Sequence, residues 1–294
     1  MPPTFELLDL LHLGRPRVIA AYLLAEREPV LVDCGPSSCL EALEAALGDR
    51  GLSVGDLRHL VLTHIHLDHA GAAGLLARRN PQLRVHVSDI GAPHLVEPSR
   101  LERSARRLYG GDFDRLWGEL APVPAEAVEV IGERVLDLDA WPTPGHASHH
   151  VSFLAPDGSC YAGDAAGVRI APFSFVAPVS PPPDIDLEAW HGSLHEIEAR
   201  APKRLCLPHF GVVETPQEHL VTMRERLDTW SERVRAGADE EDFVRAAQAE
   251  LAEALPAEDA DAYTQAGPLW QSYAGLRRYW DKQAEASADE AARV

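Results

Sequence analysis

Nowhere in this 294-residue chain is there a run of the eighteen or more apolar residues that a membrane span requires. The start, Met1-Pro2-Pro3-Thr4-Phe5-Glu6, has no basic region followed by an apolar core. No secretion signal is therefore visible, and a cytoplasmic location is expected. Cysteine is scarce. Cys34, Cys39, Cys160 and Cys206 form no C-x-x-C pair and read as reduced, mostly buried thiols. Positive charge is also short, with 27 Lys and Arg against 46 Asp and Glu, a formal charge of −19. That balance argues against a nucleic-acid partner and against anionic membrane surfaces, and leaves a small molecule as the expected partner.

What is present is a dense polar cluster: Thr63-His64-Ile65-His66-Leu67-Asp68-His69-Ala70-Gly71. The run before it, His59-Leu60-Val61-Leu62, reads as a buried strand. The run after it, Gly71 to Arg79, has Ala and Leu at helical spacing. The cluster therefore sits where a strand ends and a helix begins. Residues two apart in an extended loop point the same way, so His64 and His66 can reach one ion together. Asp68 and His69 lie where the chain turns into the helix and can face a second ion. Neutral imidazole is a common ligand for zinc and also suits iron.

Along the chain, residues 5–13, 17–25 and 29–33 read as strands, with a turn at Gly14-Arg15-Pro16. Asp33 ends the third. It is expected either to hydrogen-bond a ligand histidine or to cap the helix that starts near Ser37 or Ser38 and runs to about Leu47. A strand follows at 84–88. Residues 89–120 then break the alternation with two or three Arg-rich helices, where Tyr109 and Trp117 are candidate pocket residues. Strands return at 127–131, 135–139, 150–155 and 159–163, a helix at 186–200, and a strand through Arg204–Leu207. Three more polar residues stand just past strand ends: His146 in Thr143-Pro144-Gly145-His146, Asp164 in Ala162-Gly163-Asp164, and His209 in Pro208-His209. Strand ends along one sheet edge are where α/β proteins gather their sites.

The order of elements suggests two similar halves. The fold expected is α/β, two mixed sheets face to face with helices outside, all four loops along one edge. Residues 1–215 would form this catalytic domain with its insertion at about 89–120. Residues 216–283 read as helices (216–235, 240–255, 258–282) that either cap the sheets or make a homodimer surface. The tail 284–294 is expected to fray. His149 and His150 begin a strand and point to opposite faces, so at most one is expected to matter. Phe173, Phe175 and Phe210 are candidates for an apolar acyl pocket. His12, His59, His86, His94, His191, His195 and His219 read as surface or structural.

Over about residues 5–215 the chain resembles the metallo-β-lactamase superfamily of metal-dependent hydrolases. The H-x-H-x-D-H loop, T-P-G-H at His146, A-G-D at Asp164 and the late His209 match its four ligand motifs. The resemblance implies an αββα four-layer sandwich and two divalent ions, zinc first, with iron or manganese fitting the same donors. It implies His64, His66 and His146 on one ion, Asp68, His69 and His209 on the other, and Asp164 bridging both. It also implies a metal-bridging hydroxide that cleaves an ester-type bond (thioester, lactone or related carboxylic ester), with Asp68 as catalytic proton carrier.

Within the superfamily the chain is similar to the branch of glyoxalase II thioesterases and acyl-homoserine lactonases. Gly145–His150, Gly163–Gly167 and Pro181-Pro182-Pro183-Asp184 look like a small prokaryotic group whose substrate is not settled. Gly167 stands where the lactonases carry Tyr, and the Lys and Tyr motifs that hold glutathione are absent. His66 argues against the flavodiiron oxygen reductases. The alternatives are a mononuclear iron oxygenase like the persulfide dioxygenases, and a phosphoesterase on the same fold.

Overall fold

A computed structural model describes residues 5–24 and 28–291. The first half of the chain builds one six-stranded sheet: β1 (Phe5–Asp9), β2 (Ala20–Leu24), β3 (Val30–Val32), β4 (His59–Val61), β5 (Arg84–Val87) and β6 (Val128–Val130), in that spatial order. The pairs β1–β2 and β2–β3 are antiparallel, and β3 to β6 run parallel. The second half builds the other: β7 (Arg134–Val135), β8 (Leu138–Pro142), β9 (Val151–Leu154), β10 (Ser159–Tyr161), β11 (Arg204–Leu207) and β12 (Gly211–Val213). There only β10–β11 is parallel. Both sheets are mixed, as expected.

Side chains alternate across each strand. Val30, Val32 and Val61 face the other sheet and meet Phe153, Tyr161 and Cys206, whereas Leu31, Leu60, Leu205 and Leu207 turn outward into the helical layers. Helices α1 (Leu40–Gly48) and α3 (Ala73–Arg79) cover the first sheet, with the one-turn α2 (Leu67–Ala70) before α3. On the second sheet lie α7 (Leu187–Ala199), which buries Trp190, Leu194 and Ile197, and α8 (Pro216–Arg235). All four cysteines are free and buried. No helix among the described residues is long and apolar enough to cross a membrane.

The insertion forms α4 (Ala92–Val96), α5 (Ser99–Tyr109) and α6 (Phe113–Trp117). After α8 come α9 (Glu240–Ala254), α10 (Ala257–Ala266) and α11 (Leu269–Ala291). Three expectations need correction. The single strand at 135–139 is a hairpin, because Leu136 adopts φ 54° and turns the chain between β7 and β8. The single helix at 258–282 breaks at Gly267-Pro268, where proline has no N–H to continue the ladder. The helix also continues to Ala291, through most of the 284–294 span expected to fray; residues 292–294 lie outside the described ones.

Candidate metal centre

The two sheets are stitched together at one edge. Val151 N donates to Thr63 O at 2.8 Å, and Ala20 N donates to Pro208 O at 2.8 Å. These bonds bring the loops after β3, β4, β8, β10 and β11 into one place. The structure gathers all seven of His64, His66, Asp68, His69, His146, Asp164 and His209 there. His64, His66 and His146 form one group of donor atoms, and Asp68, His69, Asp164 and His209 form a second. Asp164 lies against both. Its Oδ2 is 3.5 Å from His146 Nε2, and its Oδ1 is 3.4 and 3.6 Å from the Nε2 atoms of His69 and His209. Asp68 reaches His209 Nε2 at 3.4 Å and His69 Nε2 at 3.7 Å.

Four of the five imidazoles are anchored through Nδ1, which turns Nε2 inward. His69 Nδ1 meets Asp33 Oδ2 at 3.0 Å, His146 Nδ1 donates to Val179 O at 2.7 Å, and His209 Nδ1 donates to Val18 O at 2.6 Å. His64 Nδ1 donates to Thr63 Oγ1 at 3.1 Å, while the Thr63 hydroxyl and backbone N–H both donate to Asp33. Asp33 thus orients two imidazoles, one directly and one through Thr63. It does this from a buried position at φ 55°, a conformation that an L-residue keeps only when its surroundings hold it. Of the two roles expected for Asp33, the structure supports the histidine partner.

The Asp164 turn, Gly163–Ala166, is held from three sides. Trp190 Nε1 donates to Ala165 O at 2.8 Å, His219 Nε2 donates to Ala166 O at 2.7 Å, and Ala165 N donates to His150 Nε2 at 3.4 Å. A Cβ on Gly163 would lie 2.4 Å from His150 Nε2, and one on Gly145 would lie 2.3 Å from Trp190. Both glycines carry positive φ, so the residues just before Asp164 and His146 are fixed by close approach as well as by backbone conformation. Trp190 also stands edge-on to His146, ring centroids 5.6 Å apart. Its double support of His146 and Asp164 was invisible in the sequence, where it reads as an ordinary core residue on a helix.

The electrostatics divide the site in two. Burial pushes His64 well below its ordinary range, helped by His69 and His66; it takes His66 down to about 3 and lowers His146 as well. These three stay neutral, with lone pairs to give. Burial raises the carboxyls of Asp68 and Asp164, but His69 and His209 overcome it and hold both below the usual carboxylate range. The same carboxylates outweigh burial at His69 and His209 and raise both. Two carboxylates, Asp164 buried and Asp68 partly exposed, therefore draw positive charge into this half. His69 Nε2, His209 Nε2 and Asp164 Oδ1 are buried without a hydrogen bond. His66 Nδ1 stands 2.9 Å from His146 Nε2 and 3.1 Å from His64 Nε2, a spacing at which nitrogens must share a proton or a cation. Nitrogen and carboxylate donors, outer hydrogen bonds included, make a set that fits divalent transition metals.

Above this floor opens a cavity of about 320 Å³, with His66, Asp68, His146 and Asp164 at its base. Tyr109, Leu116 and Trp117 from the insertion form one wall, and Gln265, Pro268 and Gln271 at α10 and α11 form another. The C-terminal helices therefore roof the site. His149 lines the cavity, and its partner in sequence, His150, supports the Asp164 turn from behind. Phe173, Phe175 and Phe210 are not among the lining residues; Phe175 is buried against Tyr263 instead. His12 and His94, read as surface or structural, do line the cavity. His12 is buried and stacks on Trp117 with centroids 5.7 Å apart. Its Nε2 donates to Leu116 O at 3.0 Å, and Gln265 Nε2 donates to its backbone O at 2.9 Å.

The family model described as the metallo-beta-lactamase superfamily matches residues 14–209. The metallo-beta-lactamase fold-containing protein ST1585 from Sulfurisphaera tokodaii is 29% identical over 221 residues, 71% of this chain and 79% of that protein. The crystal structure of the family protein TTHA1429 from Thermus thermophilus superposes with a TM-score of 0.69 at 22% identity, over 97% of this chain and 95% of that one. A structure of TTHA1623 described as di-iron-bound superposes at 0.52 with 27% identity, over 69% of this chain and 91% of that one. By its sequence match, its fold and the donor groups along the joined sheet edge, the chain belongs to the metallo-β-lactamase superfamily.

Proposed function

We propose that this metallo-hydrolase cleaves an ester-type bond in a small molecule and works with two divalent ions. His64, His66 and His146 would hold one ion, Asp68, His69 and His209 the other, and Asp164 would join them. The observation that carries this reading is Asp164, 2% exposed and within 3.6 Å of ligand nitrogens in both groups. Such a pair of ions, when bound, supplies a water acidic enough to attack near neutral pH and a Lewis acid for the carbonyl. Zinc is read from the donor set, and the di-iron-bound form of the structural neighbour TTHA1623 supports iron beside it.

The protein's own part is positioning and proton transfer. Asp68 is the more open of the two carboxylates, its side chain 18% exposed against 2% for Asp164, and it faces the cavity. Its carboxylate takes the proton of the attacking water and passes it to the departing oxygen or sulfur. The apolar walls hold the acyl part and exclude bulk water.

The test is metal analysis of the purified protein together with turnover on thioester, lactone and phosphoester substrates. Two ions per chain, hydrolysis of an ester-type substrate, and loss of both in Asp164→Ala are expected. One iron per chain with oxygen uptake would replace this reading by the oxygenase. Normal metal content and turnover in Asp164→Ala would remove it.

A further inference from the structure

Beyond the metal centre, the insertion carries a charge pattern that the rest of the chain does not. Helix α5 reads Ser-Arg-Leu-Glu-Arg-Ser-Ala-Arg-Arg-Leu-Tyr, four arginines with a single acidic residue in a protein of net charge −19. Arg106 is committed to structure: it pairs with Glu102 at 2.8 Å and Asp114 at 2.7 Å and lies over the Phe113 ring. The other three are free. Arg100, Arg103 and Arg107 are exposed, and none makes a hydrogen bond or ion pair with a described residue, although Glu97 lies in the field of Arg103.

At 3.6 residues per turn these three fall within about 60° of one another around the helix and span about 10 Å along it. Leu101, Ser104 and Leu108, on the adjoining face, line the cavity, and so does Arg100 itself. Being both exposed and cavity-lining, Arg100 marks the mouth, and Arg103 and Arg107 follow it along the exposed face of α5. Asp184 is also at the mouth, where it accepts from Ser148 Oγ at 3.0 Å. An anion entering against the field of this protein needs a local basic track, and α5 provides it.

From this we infer that the arginine stripe of α5 binds a polyanionic leaving group that stays outside the cavity while the acyl group enters. The inference rests on the ester-hydrolase reading and names its substrate class: acyl thioesters of a thiol carrier bearing several phosphates. The reaction stays a simple hydrolysis. Oxygen from water joins the acyl carbon, the carbon–sulfur bond breaks, and the thiol departs with the proton. The reacting carbonyl is uncharged, and the phosphates remain on α5.

The experiment compares three thioesters of one acyl group on the metal-loaded protein: the coenzyme A thioester, the uncharged N-acetylcysteamine thioester and the glutathione thioester. The coenzyme A thioester should exceed the N-acetylcysteamine thioester in kcat/KM by about tenfold or more at low salt. The ratio should fall toward one in R100Q/R103Q/R107Q and in high salt. A wild-type ratio near one would overturn the inference. So would a ratio that survives the triple substitution, or an arginine dependence seen only with the glutathione carboxylates. If no thioester is hydrolysed, binding of the inert thioether S-hexyl coenzyme A separates the two claims. Arginine-dependent binding upholds the stripe while the hydrolase reading fails, and its absence removes the stripe too.

Discussion

The floor and the roof of the cavity are built on opposite plans. The floor comes from loop ends of two sheets that are hydrogen-bonded to each other, and its ligands are buried apart from the partly exposed His66 and Asp68, each imidazole but His66 fixed through Nδ1. The roof comes from the insertion, the turn at His12, the end of α10 and the start of α11, segments joined by side-chain hydrogen bonds such as Tyr109 OH donating to Gln271 Oε1 at 3.5 Å. Rigid donors suit chemistry that tolerates little displacement. A lightly tied wall suits the part that selects a substrate.

Substitutions can break this contrast or sharpen it. The largest effect is expected at Asp68: Asp68→Asn should lower kcat by about 10²–10⁴-fold on any accepted ester, in steady-state turnover. Next comes Asp33, which touches no substrate. Asp33→Ala should weaken metal affinity by about 10–100-fold, read by competition with a chelator, because His69 and Thr63 both lose their anchor. Equal affinity in wild type and variant would show that the floor does not need its outer hydrogen bonds. In the roof, Tyr109→Phe should raise KM by about three- to tenfold with metal content unchanged, the cost of one hydrogen bond. A fall in bound metal there would erase the distinction between the two regions.

No effect on turnover is expected at His86, on β5, whose Nε2 stands 2.9 Å from His59 Nδ1. Burial takes His86 down to about 4, against the pull of Glu129. The unfolded chain takes up this proton near pH 6.5 and the folded one only near 4. The stability is therefore full above pH 6.5 and falls between 6.5 and 4, by at most about 3 kcal/mol. Urea titrations across that window should show a shallower fall in His86→Gln. An identical slope in the variant would assign the effect elsewhere.

The same contrast explains what could be read in the sequence. His64, His66, Asp68 and His69 crowd into six residues between an apolar run and an Ala-rich helix, and local geometry alone suggests a shared ion. His146, Asp164 and His209 are single residues, legible because each follows a strand. The roof was legible only in part: Tyr109 and Trp117, candidate pocket residues of the insertion, do line the cavity, but the wall facing them left no such trace. Gln265 and Gln271 stand more than 150 residues beyond Tyr109. His12 sits in what reads as a strand, yet Leu11 and Leu13 on either side take φ 47° and 55°, and no local residue choice announces that turn. His219 and Trp190 bury ordinary helix faces while supporting the Asp164 loop, a role that only tertiary packing reveals.

The most direct measurement is anomalous diffraction from crystals grown with zinc. Two peaks flanking Asp164 are expected, one among His64, His66 and His146, the other among Asp68, His69 and His209. A single peak away from Asp164, or none in a protein that still turns over substrate, would contradict the paired-ion centre.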